Sequence, residues 1–333
     1  SFQENHLFLD ERELAIQIEQ ILGNLLPNEK NIDGVSVLNS ISVQHGILVE
    51  QAEGIYSFSH LTFQEFLTAL YIVDDVNRVQ QLITRQVSDD RWREVFLMLS
   101  GLKKADVLLQ EIAGQSSSFL TISKLKELIL WTKQITDDSA GDYKPAAKRA
   151  ATIYFAYDFL QKNDRNKDLA RDLAINLDFD LNSVLTLEQD SSSTSARDLA
   201  LSFGIGRNRD RDLALDLAIK NALARVPKLA QAKIFVGLDF TRLTAKLEAL
   251  NVRVPGNNVS QEDRNNFITR IQETWLDAFK LDPQLLDLSE AEQKELESYL
   301  RVNLLLVQCR QAAKEVSQDT WTEIEQQILL CES

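Results

Sequence analysis

The sequence predicts a mostly α-helical protein: a winged-helix domain with a small β-hairpin, followed by an α-helical, solenoid-like array. Three observations predict it. Among 333 residues there are only 11 glycines and 5 prolines, and 44% of the residues are hydrophobic, a composition typical of helices around a large core. The first 75 residues show helix, helix, hairpin and helix in that order. A helical sequence motif then recurs late in the chain.

The first domain is predicted over residues 1–75. Residues 10–26, DERELAIQIEQILGNLL, have the apolar spacing of an amphipathic helix, with Asp10 as its N-cap. A second helix is predicted over 34–45, ending at Gly46, because glycine readily adopts the conformation that ends helices. Residues 47–60, ILVEQAEGIYSFSH, contain two strand-like runs around an Ala-Glu-Gly turn, the pattern of a hairpin.

The helix after the hairpin has the strongest start signal in the chain, YSFSHLTFQEFLTAL at residues 56–70. Thr62 and Glu65 have the spacing of a capping box, and Leu61 and Phe66 that of a hydrophobic staple. The apolar spacing predicts a buried stripe of five side chains. They are Phe63, Phe66, Leu67, Leu70 and Tyr71.

His60 stands just outside this predicted helix, at the end of a strand. Two roles remain open from local chemistry. The imidazole can be hydrogen-bonded within its own domain, or it can project towards a neighbouring domain and donate to a phosphate oxygen beside the positive end of the helix.

The rest of the chain is predicted to be a helical domain over 76–140 and a C-terminal helical region with degenerate repeats over 141–333. KDLARDLAI at 167–175 and RDLALDLAI at 211–219 lie 44 residues apart, with a partial copy, ARDLAL, at 196–201. Such a period is typical of stacked helical pairs. Leu169 with Leu173, and Leu213 with Leu217, should share a helix face.

Composition and motifs exclude several functions. The formal net charge of −14 disfavours binding to nucleic acid or to an anionic membrane. The predicted recognition helix and wing, residues 32–56, contain no lysine or arginine to contact phosphate. No catalytic or P-loop motif is present, and two cysteines with three scattered histidines make a metal site improbable. We therefore expect no enzyme activity and no cofactor in this chain, and a cytoplasmic location.

YSFSHLTFQEFLTALYIV resembles the end of the winged-helix domain of NACHT-type signalling NTPases, the STAND-class family that includes NOD-like receptors. RWREVFLMLSGL resembles the segment that follows it. The specific resemblance covers residues 55–102, and a looser one covers 10–130. Residues 140–333 resemble the Leu/Ala/Asp/Arg-rich helical tails of bacterial, especially cyanobacterial, members.

The resemblance implies a molecular switch in signal transduction or antiphage defence. A P-loop NTPase domain would bind ATP or ADP with Mg²⁺, and His60 would touch the β-phosphate of ADP in the closed state. That domain would precede Ser1, so the chain is expected to be a fragment whose first partner is its own upstream NTPase domain. A protein or ligand would be sensed by the helical region, and activation would produce a homo-oligomer.

Two alternatives belong to other classes. One is a free-standing α-solenoid scaffold that binds proteins through a concave face. The other is a winged-helix transcription factor, which the acidic charge makes improbable.

Overall fold

A computed structural model describes residues 8–26, 32–160, 165–185, 208–256 and 259–331, with side chains in the helix that begins at Asn208 described from Leu215 onward. The chain forms two compact units, unit 1 (Ser1–Leu108 with Ala312–Glu315) and unit 2 (Leu109–Gln311 with Val316–Ser333). The mostly α-helical class with a small sheet is confirmed. The three domains predicted over 1–75, 76–140 and 141–333 are not tested by this division and stay a prediction.

Unit 1 contains the winged helix. Its elements are β1 (Leu9–Asp10), α1 (Glu11–Leu25), α2 (Gly34–Ser40) with a π-helical turn (Ile41–His45), β2 (Leu48–Ala52), β3 (Ile55–Phe58), α3 (Leu61–Val73), α4 (Val76–Gln86), α5 (Arg93–Leu102) and the start of α6 (Asp106–Ser116). The strands form an antiparallel sheet in the order β1-β3-β2. The predicted hairpin is therefore present and gains a third strand from the residues before α1.

Local chemistry explains where these elements begin and end. The Asp10 carboxylate accepts a hydrogen bond from the Arg12 amide at 2.9 Å, which confirms Asp10 as the N-cap of α1. The second helix ends at Gly46, which has a φ of 61° as predicted. Leu38, Leu48 and Tyr56 form a buried cluster that ties α2 to the hairpin.

The apolar stripe of α1 is only partly buried. Leu14 and Ile18 pack against the cluster of Leu38, Leu48 and Tyr56. Ile21 and Leu25, two turns later on the same helix, are exposed. The apolar stripe of α1 therefore extends beyond the part of the helix that unit 1 covers.

The predicted start of α3 is wrong by two residues, and its predicted buried stripe is wrong. The helix begins at Leu61 with His60 as the N-cap, so Thr62 and Glu65 do not form a capping box and Leu61 with Phe66 does not form a staple. The opposite face is buried against α5, and it contains Gln64, Glu65, Ala69 and Ile72. The five side chains predicted to be buried, Phe63, Phe66, Leu67, Leu70 and Tyr71, are all exposed.

Unit 2 is entirely helical in its described part. Its helices are the rest of α6, α7 (Ser123–Thr136), α8 (Pro145–Phe159), α9 (Arg165–Leu177), α10 (Asn182–Leu185), α11 (Asn208–Ala232), α12 (Phe240–Asn251), α13 (Gln261–Ala278), α14 (Glu290–Ala312) and α15 (Gln318–Gln327). At its centre the rings of Phe159 and Trp275 stack, with their centroids 4.4 Å apart.

Helix α8 is buried over its whole length from Ala146 to Phe159. Its alanines allow α7 and α9 to approach closely. The ionised side chains that this burial traps are all bonded within unit 2. Lys148 donates to the Ser139 hydroxyl at 2.9 Å, and Asp158 accepts from Lys167 at 2.6 Å and from Arg225. The α8 charges are therefore compensated, as burial requires.

Arg149 connects α8 to the end of the chain. Its guanidinium donates to the Ile328 carbonyl at 2.7 Å and to the Gln326 carbonyl at 3.2 Å. These carbonyls lie at the C-terminal end of α15, where the helix has no amide donors of its own left to satisfy them.

The sequence repeat is not matched by equivalent packing. Leu169 and Leu173 share the buried face of α9, as predicted. In the second copy Leu217 is only half-buried, while Leu215 and Ile219 are buried. The Leu213 side chain and the partial copy at 196–201 lie outside the described residues. The two described copies therefore use different faces.

Gly34 provides a test of how closely α1 and α2 pack. A Cβ at Gly34 would lie 2.2 Å from the Ala15 carbonyl oxygen, whereas one at Gly23 would contact nothing within 4 Å. We expect Gly34→Ala to destabilise unit 1 by about 1–3 kcal/mol through overpacking. Hydrogen exchange of the α1 and α2 amides in the whole chain should accelerate accordingly. Gly23→Ala is the matched control and should slow exchange or leave it unchanged, since alanine favours helix. Equal behaviour of both variants would contradict the close packing.

Arg149 provides a test of the junction with α15. Arg149→Met keeps much of the aliphatic volume but removes the donors to the carbonyl of the buried Ile328 and to the carbonyl of Gln326. We expect a loss of about 2–3 kcal/mol in local stability, measured as faster hydrogen exchange in α15. Arg253→Met, at an exposed position in the same unit, should leave that exchange unchanged. Protection of α15 that survives Arg149→Met would show that other contacts hold it.

Candidate functional site at the start of helix α3

His60 is positioned by the backbone of the hairpin and the helix. Strand β3 ends at Phe58, and the Ser59 amide donates to the Ile47 carbonyl at 2.9 Å. His60 itself is extended, with φ −139° and ψ 141°, and its carbonyl accepts from the Phe63 amide at 3.1 Å. The direction of the histidine is therefore set by main-chain geometry on both sides.

The His60 side chain faces solvent. It makes no side-chain cap for α3, and its ring lies beside Phe63 with centroids 6.0 Å apart. Within the described part of the chain, no hydrogen bond from this imidazole is found. The described residues therefore give no support to the first of the two roles, in which His60 is hydrogen-bonded within its own domain. Its sensing role stays a prediction.

The buried face of α3 carries an acid. Glu65 is 7% exposed, and burial together with the nearby Glu94 carboxylate raises its pKa. Desolvation disfavours the charged form, and a second carboxylate adds to the effect. Glu65 follows His60 by five residues and lies beyond the first turn of α3.

The other side of α3 exposes an apolar surface. We call it the outer face, defined by Leu61, Phe63, Phe66 and Leu70, each 39–55% exposed. Of nineteen large apolar side chains exposed among the described residues, sixteen lie in unit 1, which holds about a third of the chain. Large exposed apolar patches are typical of interaction sites. The outer face begins one residue after His60.

The start of α3 provides only some of the groups that an anion-binding site needs. An imidazole beside a helix start without a side-chain cap can donate to a phosphate. The described residues contain no cluster of three or more potential metal ligands, and the sequence contains no P-loop. Among the described residues, His60 is the one side chain predicted to contact a nucleotide, and that role stays a prediction.

Sequence reasoning found His60 but chose the wrong face of α3. Leu61–Val73 is apolar at nearly every position, with only Thr62, Gln64, Glu65 and Thr68 polar. A helix that is apolar on all sides is buried on all sides in some assembly. That signal was available in the sequence, and it predicts a second packing partner instead of a single buried stripe.

Two segments match known families. Residues 16–72 match the family described as winged helix-turn-helix domain C-terminal to NACHT. Residues 243–331 match the family described as NACHT C-terminal helical domain 2. The matches support a NACHT-associated C-terminal region, as the resemblance predicted, and both domains are non-catalytic accessory domains of NACHT proteins.

No curated protein and no solved structure matches the chain. Among the helices that the structure describes, none combines the length and the apolar character needed to cross a lipid bilayer.

The buried acid gives a pH-dependent prediction. Because the folded-state pKa of Glu65 is raised, its contribution to stability is complete below the unfolded-state pKa and is lost as pH rises through the folded-state pKa. Glu65→Gln imitates the protonated form, so we expect it to stabilise unit 1 at neutral pH by about 1 kcal/mol. Urea unfolding at several pH values measures this. The difference in stability between Glu65→Gln and the wild type should disappear at acidic pH. Glu53→Gln, in the exposed hairpin turn, should have no effect, and a destabilised Glu65→Gln at neutral pH would contradict the prediction.

Proposed function

We propose that this chain is the regulatory C-terminal region of a bacterial NACHT-type NTPase switch of the STAND class. In the resting state its winged helix packs on the NTPase domain of the same polypeptide. One observation carries the proposal. In a segment that matches a winged helix C-terminal to NACHT, an exposed histidine adjoins an exposed apolar helix face.

The outer face supplies the energy of the resting contact. Complete burial of a large apolar side chain is worth about 1.5–3 kcal/mol. The four side chains are already about half covered, so docking would gain a few kcal/mol in total. That is enough to bias a two-state equilibrium by orders of magnitude, and small enough for a ligand to reverse.

His60 supplies the nucleotide dependence. In the proposed closed state it donates to the β-phosphate of ADP, which the upstream domain holds together with Mg²⁺. The nearby start of α3 adds a favourable partial charge. The ADP form would be stabilised because the histidine contact exists only when the winged helix is docked.

The C-terminal helical region would sense a protein or another ligand. Binding there would release the winged helix, permit exchange to ATP and lead to homo-oligomers in the cytoplasm, in signalling or antiphage defence. The chain itself would perform no catalysis.

The test uses the full-length polypeptide with His60→Ala. Loss of one charge-assisted hydrogen bond should weaken ADP affinity about tenfold or more and raise basal activity, with ATP affinity unchanged. His45→Ala, an exposed histidine in the same domain, is the matched control and should behave as wild type.

Two results would overturn the proposal. One is unchanged ADP affinity together with unchanged basal activity in His60→Ala. The other is an upstream sequence without a P-loop, which would favour the free-standing scaffold.

A further inference from the structure

A second surface of unit 1 lies beside the outer face but is distinct from it. It is a groove of about 910 Å³ between α1, α3 and α4. From α3 it receives Gln64, Leu67, Thr68, Tyr71 and Ile72, and from α4 Arg78, Gln81, Leu82, Arg85 and Gln86. Both sets follow the i, i+3, i+4, i+7, i+8 spacing of one helix face.

The dimensions fit a helix. Each of the two stripes extends over eight residue steps, which corresponds to about 12 Å, or roughly two helical turns. Leu67 and Tyr71 on its wall are 40% and 65% exposed, so the groove is open along one side. Small ligands are usually enclosed on most of their surface. An open groove of this length, lined by both apolar and polar side chains, fits the geometry of helix-in-groove recognition.

The charge of the groove is opposite to that of the whole chain. Its ionisable lining consists of Arg78 and Arg85, with no carboxylate among the lining residues. Arg78 is bound by Asp75 at 3.2 Å and stacks on Tyr71 at 3.9 Å. Arg85 is exposed, and no side-chain bond connects it to another described residue. A chain of net charge −14 thus presents a local positive site next to apolar side chains.

We propose that this groove binds an acidic amphipathic helix of a separate partner protein. The apolar stripe of that helix would cover Ile21, Leu67 and Tyr71, which are exposed without it. An aspartate or glutamate beside the stripe would pair with Arg85, the arginine without a described partner. The glutamines along the rim would bond polar groups at the edge of the interface.

Other occupants fit the charges less well. A second copy of the chain would bring another −14 charges into contact, and their repulsion opposes association. Nucleic acids and anionic vesicles need several cations to neutralise their phosphates, and the groove has two arginines. An acidic helix carries few charges, so Arg85, whose side chain has no bond to another described residue, can pair with one of them. Arg78 is already paired with Asp75.

The probe is a pair of labelled synthetic helical peptides of about 18 residues with the same leucine stripe. One carries glutamates on its polar flanks, and the other carries lysines. Titration with the whole chain should show that the glutamate peptide binds at least about tenfold more tightly at low salt, the effect of about one close ion pair. The difference should shrink at high salt.

Variants assign the binding to the groove. Arg85→Glu should lower the affinity for the glutamate peptide about tenfold. Arg253→Glu, the same charge change at an exposed position of unit 2, should leave that affinity unchanged. Tyr71→Ser should lower the affinity for both peptides. The proposal is overturned by absent binding, by equal affinity for the two peptides, or by identical effects of the two arginine variants. It is also overturned if Arg85→Glu abolishes self-association in sedimentation or binding to phosphatidylserine vesicles.

Discussion

Helix α3 carries apolar side chains around most of its circumference, and its own unit covers only one side of it. That side holds Ala69 and Ile72 against α5, together with the buried Glu65. The remaining apolar surface must be covered by something else if its burial is to contribute to stability. The outer face and the groove both follow from this incomplete coverage, because each lies on the uncovered part of the same helix, and His60 adjoins that part.

Helix α8 in unit 2 differs from α3 because it is buried over nearly its whole length. All its residues from Ala146 to Phe159 are buried, and its charged side chains find partners within the unit. Complete burial of a helix requires such compensation, since an unpaired buried charge is costly. The contrast separates the roles of the two units. Among the described residues, unit 1 exposes sixteen large apolar side chains and unit 2 exposes three.

The sequence predicted the order of elements well because caps and turns are local. Asp10, Gly46 and the hairpin could each be recognised within a few residues. The burial of α3 could not be predicted in this way, since it depends on α5, which lies some thirty residues further along the chain. The predicted shared face of Leu213 and Leu217 stays a prediction, because the Leu213 side chain lies outside the described residues. In that copy Leu215 is buried, whereas Leu217 is half-buried. Which face of a helix is buried is a tertiary property.

The half-covered state of the outer face also limits how a switch can be built on it. A fully exposed apolar helix would aggregate, and a fully buried one would have nothing to gain from docking. Side chains that are about 40–55% exposed, such as Phe66 and Leu61, lie between these extremes. In the proposed switch, docking would contribute a few kcal/mol, comparable to a typical coupling energy between sites. A single added contact, such as one from His60 to a phosphate, can therefore decide which state is populated, because it is not outweighed by the apolar term.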